Sequence, residues 1–248
     1  MALVELRNIS LTYHSRDGET EAIKDVSLSI EDKEFVAIVG PSGSGKTTLL
    51  KIMAGLIAPS GGEIVKAEST RVAYMPQRDG LFEWRSVMKN VLLAPEIAGG
   101  DIRKARAYAE ELLEKYGLKE FSSKRPSELS GGMRQRAALI RTLVTKPKLM
   151  LLDEPFSALD FQTRLYVCDD VLRIIKAEEK TAVLVTHDIN EAVSMADRVI
   201  VLTARPAGVK SEYTIGLDKS LPPLKRRELK NFSVYFKNIW MDMEAPNE

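Results

Sequence analysis

Residues 40–47 combine glycines, a lysine and a hydroxyl at a spacing that suits phosphate binding. They read GPSGSGKT and match the pattern G-x-x-x-x-G-K-[ST] in full. Phosphate oxygens need several converging N–H donors, and glycines let the backbone approach closely and adopt positive φ angles. Lys46 supplies a charge for the β- and γ-phosphates, and Thr47 supplies a hydroxyl to Mg²⁺. The segment predicts a cradle for nucleotide phosphates made of Gly40, Pro41, Ser42, Gly43, Ser44, Gly45, Lys46, Thr47 and Thr48.

The alternative for this segment is a glycine-rich turn without function. The apolar run Phe35–Val39 precedes it as a buried strand, and residues 48–53 can begin a helix. A helix N-terminus attracts anions through its dipole and its free N–H groups. Strand, spacing, lysine and threonine occur together, so the phosphate cradle is the favoured interpretation.

Two adjacent carboxylates follow the apolar run Leu149–Leu152. Asp153 occupies the position from which a protein with such a loop supports Mg²⁺. Glu154 comes next, near the γ-phosphate end, where a general base can orient the attacking water. Alone, the pair would indicate only polar residues at the point where a strand ends and a loop begins. Beside a phosphate cradle, it indicates catalysis.

The elements that must position these residues form an α/β pattern. Continuous apolar runs mark strands that are buried on both faces, as in parallel sheets. The runs are Phe35–Val39, Leu149–Leu152, Ala182–Val185 and Val199–Leu202. The helical patterns between them include Arg164–Ala177 and Ile189–Ala196. The alternation predicts a core with a mostly parallel sheet.

Two regions depart from this alternation. Apolar and polar residues roughly alternate on both sides of a polar turn at Ser15–Glu19, which predicts an N-terminal hairpin. Between Trp84 and Thr145 there is no strong strand signal, and helical periodicity prevails. We therefore predict a helical subdomain inserted in the core, with helices at Arg103–Tyr116 and Gly132–Val144.

Composition excludes several classes of protein. The net charge is only +1, so no nucleic-acid partner is expected from bulk charge. The single cysteine, Cys168, excludes an internal disulfide framework and lies in a helical pattern typical of a buried apolar residue. Residues 3–13 mix charges with apolar side chains, so we expect no signal peptide. No apolar run approaches the roughly 20 residues that span a bilayer, so other chains must supply any membrane-spanning part.

Leu129–Gln135 contains a second candidate anion site. Ser130 is typical of a helix N-cap, and Gly131 and Gly132 expose amides at the start of the following helix. The segment LSGGMRQ resembles the signature motif of ABC ATPases, commonly Leu-Ser-Gly-Gly-Gln, with Met133 in place of the glutamine. The motifs occur in the expected order over nearly the whole chain. The chain is thus identified as similar to ABC nucleotide-binding subunits.

This resemblance implies a fold and an assembly. The fold is α/β: a P-loop NTPase (RecA-like) core with an N-terminal antiparallel β subdomain and an inserted α-helical subdomain. One domain would cover residues 1–248, with the core in 1–83 and 146–220, the helical subdomain in 84–145 and a C-terminal helical tail in 221–248. Two copies would pair head to tail around two ATP molecules. Ser130, Gly131 and Gly132 would then contact the γ-phosphate held by the partner copy.

The resemblance also assigns roles to isolated residues. Tyr13 would stack on adenine, whereas ordinary strand packing is the alternative. Gln77, after the strand Arg71–Met75, would sense Mg²⁺ and the water; the alternative is a solvent-facing amide. His187, at a strand end, would contact the γ-phosphate. Ser157–Asp160 would contact the opposite copy, and Asp160 could equally cap a helix.

Residues 81–87, LFEWRSV, resemble the region of ABC importers that receives a coupling helix of the membrane subunit. Importers of nitrate, sulfonates or taurine commonly carry Leu-Leu-Pro-Trp here, and Glu83 stands in the proline position. Phe82 and Trp84 could instead be buried in the helical subdomain. Residues 203–206, TARP, also resemble this group. The C-terminal tail carries an apolar stripe from Phe232 to Trp240, for which docking on its own domain is favoured over a partner.

The function implied by the resemblance is the ATP-hydrolysing subunit of a bacterial-type importer. Its cofactors would be ATP and Mg²⁺, the latter supported by Thr47, Gln77 and Asp153. Its partners would be a second copy, integral membrane permease subunits and, indirectly, a solute-binding protein. It would lie peripherally on the cytoplasmic face of the membrane. The alternatives are a non-transport ABC ATPase and a P-loop kinase, and the latter leaves Leu129–Gln135 without a purpose.

Overall fold

The computed structural model describes residues 2–15 and 18–244. The strands in this part of the chain are β1 Ala2–Ser15, β2 Gly18–Glu31, β3 Phe35–Val39, β4 Gly61–Lys66, β5 Val72–Met75, β6 Leu149–Asp153, β7 Thr181–Val185, β8 Arg198–Leu202 and β9 Val209–Thr214. The helices are α1 Lys46–Met53, α2 Val87–Val91, α3 Leu93–Ile97, α4 Ile102–Lys115, α5 Gly131–Leu143, α6 Phe161–Ala177, α7 Ile189–Met195, α8 Pro223–Arg226 and α9 Phe232–Glu244.

The larger sheet has six strands in the order β5-β6-β7-β3-β8-β9. Neighbouring strands from β5 to β8 are parallel, and β9 pairs antiparallel with β8. All residues of β3, β6 and β7 are buried, as their continuous apolar runs predict. Because the strands from β5 to β8 are parallel, the segments that contain Gln77, residues 40–45, Glu154 and His187 all leave the same edge of the sheet.

The smaller sheet is antiparallel, in the order β2-β1-β4. β1 and β2 form the predicted hairpin, with register reaching Ser15 opposite Gly18. Arg16 and Asp17 of the predicted turn lie outside the described residues. This sheet and α1 cover one face of the larger sheet, where Val36 and Ile38 of β3 point. Residues 40–47, which join β3 to α1, approach the smaller sheet at Gly45, beside Ala22 and Ile23 of β2.

The opposite face of the larger sheet packs against helices. Phe35, Ala37 and Val39 of β3 join an apolar cluster with residues of α2, α4, α5, α6 and α7. Residues 84–145, all of them described, contain helices α2 to α5 and no strand, as the sequence predicts. The fold class is the predicted one, a P-loop NTPase core with an antiparallel sheet and an inserted helical segment. The exact division of the chain into subdomains stays a prediction.

The C-terminal segment packs on its own chain. Helix α9 contacts α7, β8 and β9, and Phe232 and Ile239 are buried there. Trp240, at the end of the predicted stripe, remains 47% exposed. Among the described residues, no helix combines the length and the apolar character required to cross a membrane.

Candidate active site

The phosphate-binding segment joins β3 to α1. Gly43 and Gly45 have φ angles of 76° and 88°, in the left-handed region that favours glycine. Gly45 is the residue before α1, and a Cβ there would lie 3.1 Å from the Ala22 carbonyl oxygen. Backbone conformation and lack of space therefore both require glycine at this position. The turn directs the first amides of α1 into the space beside the loop.

Lys46 lies at the start of α1 with its ammonium folded under the loop. Nζ donates hydrogen bonds to the carbonyl oxygens of Gly40, at 2.9 Å, and Pro41, at 2.8 Å. The residue is only 6% exposed, and burial lowers the pKa of its amine, while Glu154 and Asp153 act in the opposite direction. Within the described residues, no carboxylate forms an ion pair with Lys46. Its charge is therefore available to an anion at the loop.

Asp153 ends strand β6 and is 3% exposed. The Thr47 hydroxyl donates to its Oδ1 at 2.8 Å, and the Tyr74 hydroxyl donates to its Oδ2 at 2.7 Å. Burial raises the pKa of Tyr74, followed in size by this hydrogen bond, so the phenol stays protonated and keeps donating. Tyr74 was not among the predicted site residues. No motif identifies it, because its contact with Asp153 arises only from the pairing of β5 with β6.

Glu154 is the point on which three loops converge. Gln77 donates from Nε2 to Glu154 Oε2 at 3.1 Å, and Nδ1 of His187 lies 3.3 Å from the same oxygen. The Glu154 backbone has a φ of 43°, a left-handed conformation that costs roughly 1 kcal/mol or more for a residue with a side chain. Its amide donates to the Val185 carbonyl at 2.8 Å and holds this conformation. The structure thus brings together the three residues predicted to be catalytic.

A cavity of about 560 Å³ opens beside the phosphate-binding segment. Its volume lies in the range of small-molecule sites, which is roughly 300–1,000 Å³. Tyr13 lines it and is 42% exposed, with its hydroxyl 3.4 Å from that of Thr48. The complete lining is Tyr13, Thr20, Ala22, Ser42, Gly43, Ser44, Gly45, Lys46, Thr47, Thr48, Glu154, His187 and Arg205. Thr20, Ala22 and Arg205 were not predicted.

The remaining predicted residues stand outside this lining. Gln77 and Asp153 adjoin it through Glu154 and Thr47. Gly40 and Pro41 lie behind it and accept from Lys46. The predicted signature and opposite-copy contacts, Ser130, Gly131, Gly132 and Asp160, do not line it either.

Ser130 to Gly132 begin helix α5. Ser130 is the predicted N-cap, and its hydroxyl accepts a hydrogen bond from the Met133 amide at 3.3 Å. A Cβ on Gly131 would lie 2.9 Å from Leu159 Cδ2, and one on Gly132 would lie 3.1 Å from Val167 Cγ2. Larger residues here would displace these side chains of α6 and the loop before it. Within one chain, these glycines are not part of the cavity beside Lys46.

Comparison with known proteins gives the family. A family model described as ABC transporter matches residues 23–157, which is more than half of the chain. An uncharacterized ABC transporter ATP-binding protein of Bacillus subtilis, YtlC, is 42% identical, with 99% of this chain and 97% of that protein aligned. The chain belongs to the ABC transporter family.

Other relatives and solved structures agree with this assignment. The taurine import ATP-binding protein TauB of Jannaschia sp. is 39% identical over 91% of this chain and 89% of its own length. A dimeric bacterial ABC transporter cassette, MJ0796, has a TM-score of 0.72 and 32% identity, covering 86% of this chain and 98% of that cassette. A structure of the same cassette in a post-hydrolysis state, bound to ADP and Pi, has a TM-score of 0.71. The chain is thus an ATPase of the ABC transporter type.

In this ABC ATPase, Asp160 has the structural role that the sequence left open. Its Oδ1 accepts from the Thr163 amide at 3.0 Å, so it is the N-cap of α6. Hydrogen bonds from Thr163 lower the pKa of the carboxyl and keep it charged at the positive end of the helix. Contact of Asp160 with a second copy stays a prediction.

A largely buried network of polar side chains adjoins His187. The Thr186 hydroxyl donates to Glu191 Oε2 at 2.6 Å, and Glu191 is only 3% exposed. Arg164 Nε lies 3.9 Å from Glu191 Oε1, and Nη1 of the same arginine lies 3.7 Å from Asp188. Arg164 also donates to the Leu159 carbonyl at 3.0 Å. The network connects the segment around His187 with the loop before α6.

Replacement of Glu191 by glutamine is expected to change the pH dependence of stability. Burial raises the pKa of Glu191 from 4.5 to about 7. The folded state then binds more protons than the unfolded state between these values, so the carboxyl's contribution to stability falls as pH rises from about 4.5 to about 7. Glu191→Gln still accepts from Thr186 and loses this dependence. As pH rises from about 5 to about 8, the native chain should therefore lose up to about 3 kcal/mol of its free energy of unfolding relative to the variant.

Urea denaturation at both pH values measures this difference. Glu120→Gln, at an exposed position, is the matched control and should follow the native chain. The same pH dependence in Glu191→Gln and in the native chain would refute the expected titration of Glu191.

Proposed function

We propose that this ABC ATPase energises uptake of a small solute, of the taurine, sulfonate or nitrate type, through separate membrane subunits. The observation that carries the proposal is the connection between Gln77 and an exposed aromatic surface. Gln77 donates to the carboxylate of Glu154, and a few residues later the same loop ends in the exposed Trp84. Relatives named as taurine import ATP-binding proteins support the same interpretation.

Nucleotide would occupy the cavity beside Lys46. The donors fit a polyphosphate, because the amides that follow Gly43 and Gly45 stand beside an ammonium without a carboxylate partner among the described residues. Tyr13 offers an aromatic ring at the same cavity, where adenine can stack on it. Glu154 and His187 would be at the γ-phosphate end.

The residues present also fit Mg²⁺. Thr47 Oγ1 and Asp153 Oδ1 are oxygen donors 2.8 Å apart, at the loop that would bind phosphate. Among the described residues, no group of three or more His, Cys, Asp or Glu could hold a metal without other ligands. This agrees with Mg²⁺, which commonly takes one or two protein oxygens together with phosphates and water. When bound, the ion neutralises charge on the β- and γ-phosphates. Thr47 and Asp153 would hold it, with Gln77 close by.

Hydrolysis follows from the contacts of Glu154. Its carboxylate would orient the attacking water and accept the proton as the water oxygen bonds to the γ-phosphorus and the bond from that phosphorus to the bridging oxygen breaks, releasing ADP and phosphate. Gln77 donates to one oxygen of this carboxylate and Nδ1 of His187 lies 3.3 Å from the same oxygen, so both side chains limit the directions that the carboxylate can take. His187 is 59% exposed and would reach the γ-phosphate itself.

A second copy would complete the site. Ser130, Gly131 and Gly132 present the free amides of α5 but do not line their own chain's cavity. In a head-to-tail pair held by ATP, they would contact the γ-phosphate bound by the partner, and Asp160 would lie at the same interface. The similarity to a cassette whose structures are dimeric supports this arrangement.

The surface for the membrane subunits would include Phe82 and Trp84. Their rings stack with centroids 4.6 Å apart, and Trp84 is 71% exposed. Aromatic residues are enriched at protein–protein interfaces. Glu83, in the position where proline is common, accepts from Arg134 of α5 at 2.7 Å. The loop would thus transmit movement from α5 to an integral membrane permease, with the ATPase on the cytoplasmic face of the membrane. A solute-binding protein would be an indirect partner.

Retention of a permease tests the proposal. The tagged chain is purified in detergent from its own cells as the native form, as Trp84→Ala and as Trp240→Ala. Trp240 is the matched control, because it is also an exposed tryptophan, at 47%, but lies on α9. We expect the native chain and Trp240→Ala to retain an integral membrane protein and Trp84→Ala to lose most of it, with equal ATPase activity of all three isolated chains.

The same preparations distinguish the second class of function. Retention of ribosomes or DNA, without any membrane protein, would favour a non-transport ABC ATPase and refute the importer. Uptake of labelled taurine, sulfonates and nitrate by cells with and without the gene then identifies the solute.

A further inference from the structure

Arg205 lines the phosphate-loop cavity, although no motif in the sequence assigns it a nucleotide-binding role. It lies in the connection between β8 and β9, far in sequence from residues 40–47. Its Nη2 is 3.4 Å from the Gly43 carbonyl oxygen and would lie 3.6 Å from a Cβ at Gly43. The guanidinium therefore stands directly beside the loop that would bind phosphate.

The backbone that carries Arg205 is held firmly on both sides. The Ala207 amide donates to the Ala22 carbonyl at 3.0 Å, and the Lys24 amide donates to the Ala207 carbonyl at 2.9 Å. The Thr203 hydroxyl donates to the Pro206 carbonyl at 3.0 Å and accepts from the Gly208 amide at 2.8 Å. Because this backbone is already ordered, binding of an anion would have to order only the Arg205 side chain and not the loop that carries it.

The charge of Arg205 has no acidic partner among the residues that the structure describes. The one hydrogen bond that it forms within residues 2–15 and 18–244, to the Gly43 carbonyl, is long at 3.4 Å. By contrast, Arg134 and Arg198 each form ion pairs at 2.7–2.9 Å with two carboxylates. Such a weak internal contact contributes little, so the guanidinium is free to bind a ligand in the cavity.

We propose that Arg205 binds a phosphate group that ADP and ATP share, as a second cation beside Lys46; this inference rests on the proposed nucleotide site. The position of Arg205 within the cavity favours a phosphate that both nucleotides carry. The Arg205 loop is anchored on Ala22, which lines the cavity with Tyr13, the residue proposed to stack on adenine. Glu154 and His187 are the residues proposed at the γ-phosphate. Arg205 thus increases nucleotide affinity without taking part in the chemical step.

Titration calorimetry of the full chain with ADP and with ATP tests this inference. Arg205→Ala should raise both dissociation constants by about 10-fold, because hydrogen bonds to charged groups contribute most among polar contacts. The loss should be smaller at high salt, since the interaction is screened there. Arg205→Lys should restore part of the affinity. Arg103→Ala removes an exposed arginine of α4 and should bind as the native chain does.

Each other result overturns the inference. Unchanged dissociation constants in Arg205→Ala would exclude a phosphate contact. Loss of ATP affinity alone would mean contact with the γ-phosphate and contradict a shared group. An equal loss in Arg103→Ala would mean that only the net charge matters. Absence of nucleotide binding by the native chain would instead refute the proposed site, so the two failures are distinguishable. Thermal melting of each variant verifies that it is folded.

Discussion

Glu154→Gln should bind ATP as the native chain does but turn it over about 100- to 10,000-fold more slowly, the range expected when a general base is removed. Glutamine has nearly the same shape and still offers an oxygen to the Gln77 amide, which donates at 3.1 Å in the native chain. It cannot accept a proton from water. The chemical step should therefore fail while the geometry persists, and the ATP-bound pair of copies should accumulate.

Phosphate release and size-exclusion chromatography in ATP measure these two effects. The matched control is Glu120→Gln, which makes the same substitution at an exposed position remote from the cavity. Near-normal hydrolysis by Glu154→Gln would defeat the assignment of Glu154 as the base. Loss of ATP binding would show that the carboxylate organises the site rather than acting in the chemical step.

Lys46→Ala should lose ATP affinity by about 10- to 100-fold, as expected for the loss of a charge-assisted contact of roughly 1.5–3 kcal/mol. The free energy of unfolding should change much less than the ATP affinity. The ammonium is buried against two carbonyl oxygens, and burial lowers its pKa, so its removal relieves a desolvation cost while it leaves those carbonyls without a donor. We expect the free energy of unfolding to change by no more than about 1 kcal/mol.

Calorimetry with ATP and urea denaturation without it separate the two quantities. Lys51→Ala lies on the same helix, α1, and does not line the cavity, so it should change neither. Unchanged ATP binding by Lys46→Ala would remove the basis for a phosphate cradle at residues 40–47. A large loss of stability would make the lysine a structural residue.

The parts of the fold that sequence predicts are those with a local signal. Strand β3 is apolar at every position, and β6 and β7 each have a single polar residue, at the last and the first position respectively. They are apolar elsewhere because both faces of these strands are buried. Strands β4 and β9 were not predicted. They lie at sheet edges and are half exposed, so they have no apolar run or clear alternation.

The residues of the candidate site also divide into those with a local sequence signal and those without one. Residues 40–47 and Asp153–Glu154 are recognisable because their chemistry depends on neighbours in sequence. Tyr74 and Arg205 are not, because each acquires its contact only when distant segments pack together. The glycines of residues 131–132 had a predicted role in binding phosphate. Their tight packing against Leu159 and Val167 depends on where α6 lies and has no local signal.

That packing brings the start of α5 into direct contact with the loop before α6. Leu159 Cδ2 would be 2.9 Å from a Cβ on Gly131, and Arg164 donates a hydrogen bond to the Leu159 carbonyl at 3.0 Å. The two segments predicted to meet another copy therefore touch each other within one chain. A displacement of the start of α5 would be passed on to the loop before α6 through this contact, without any element between them.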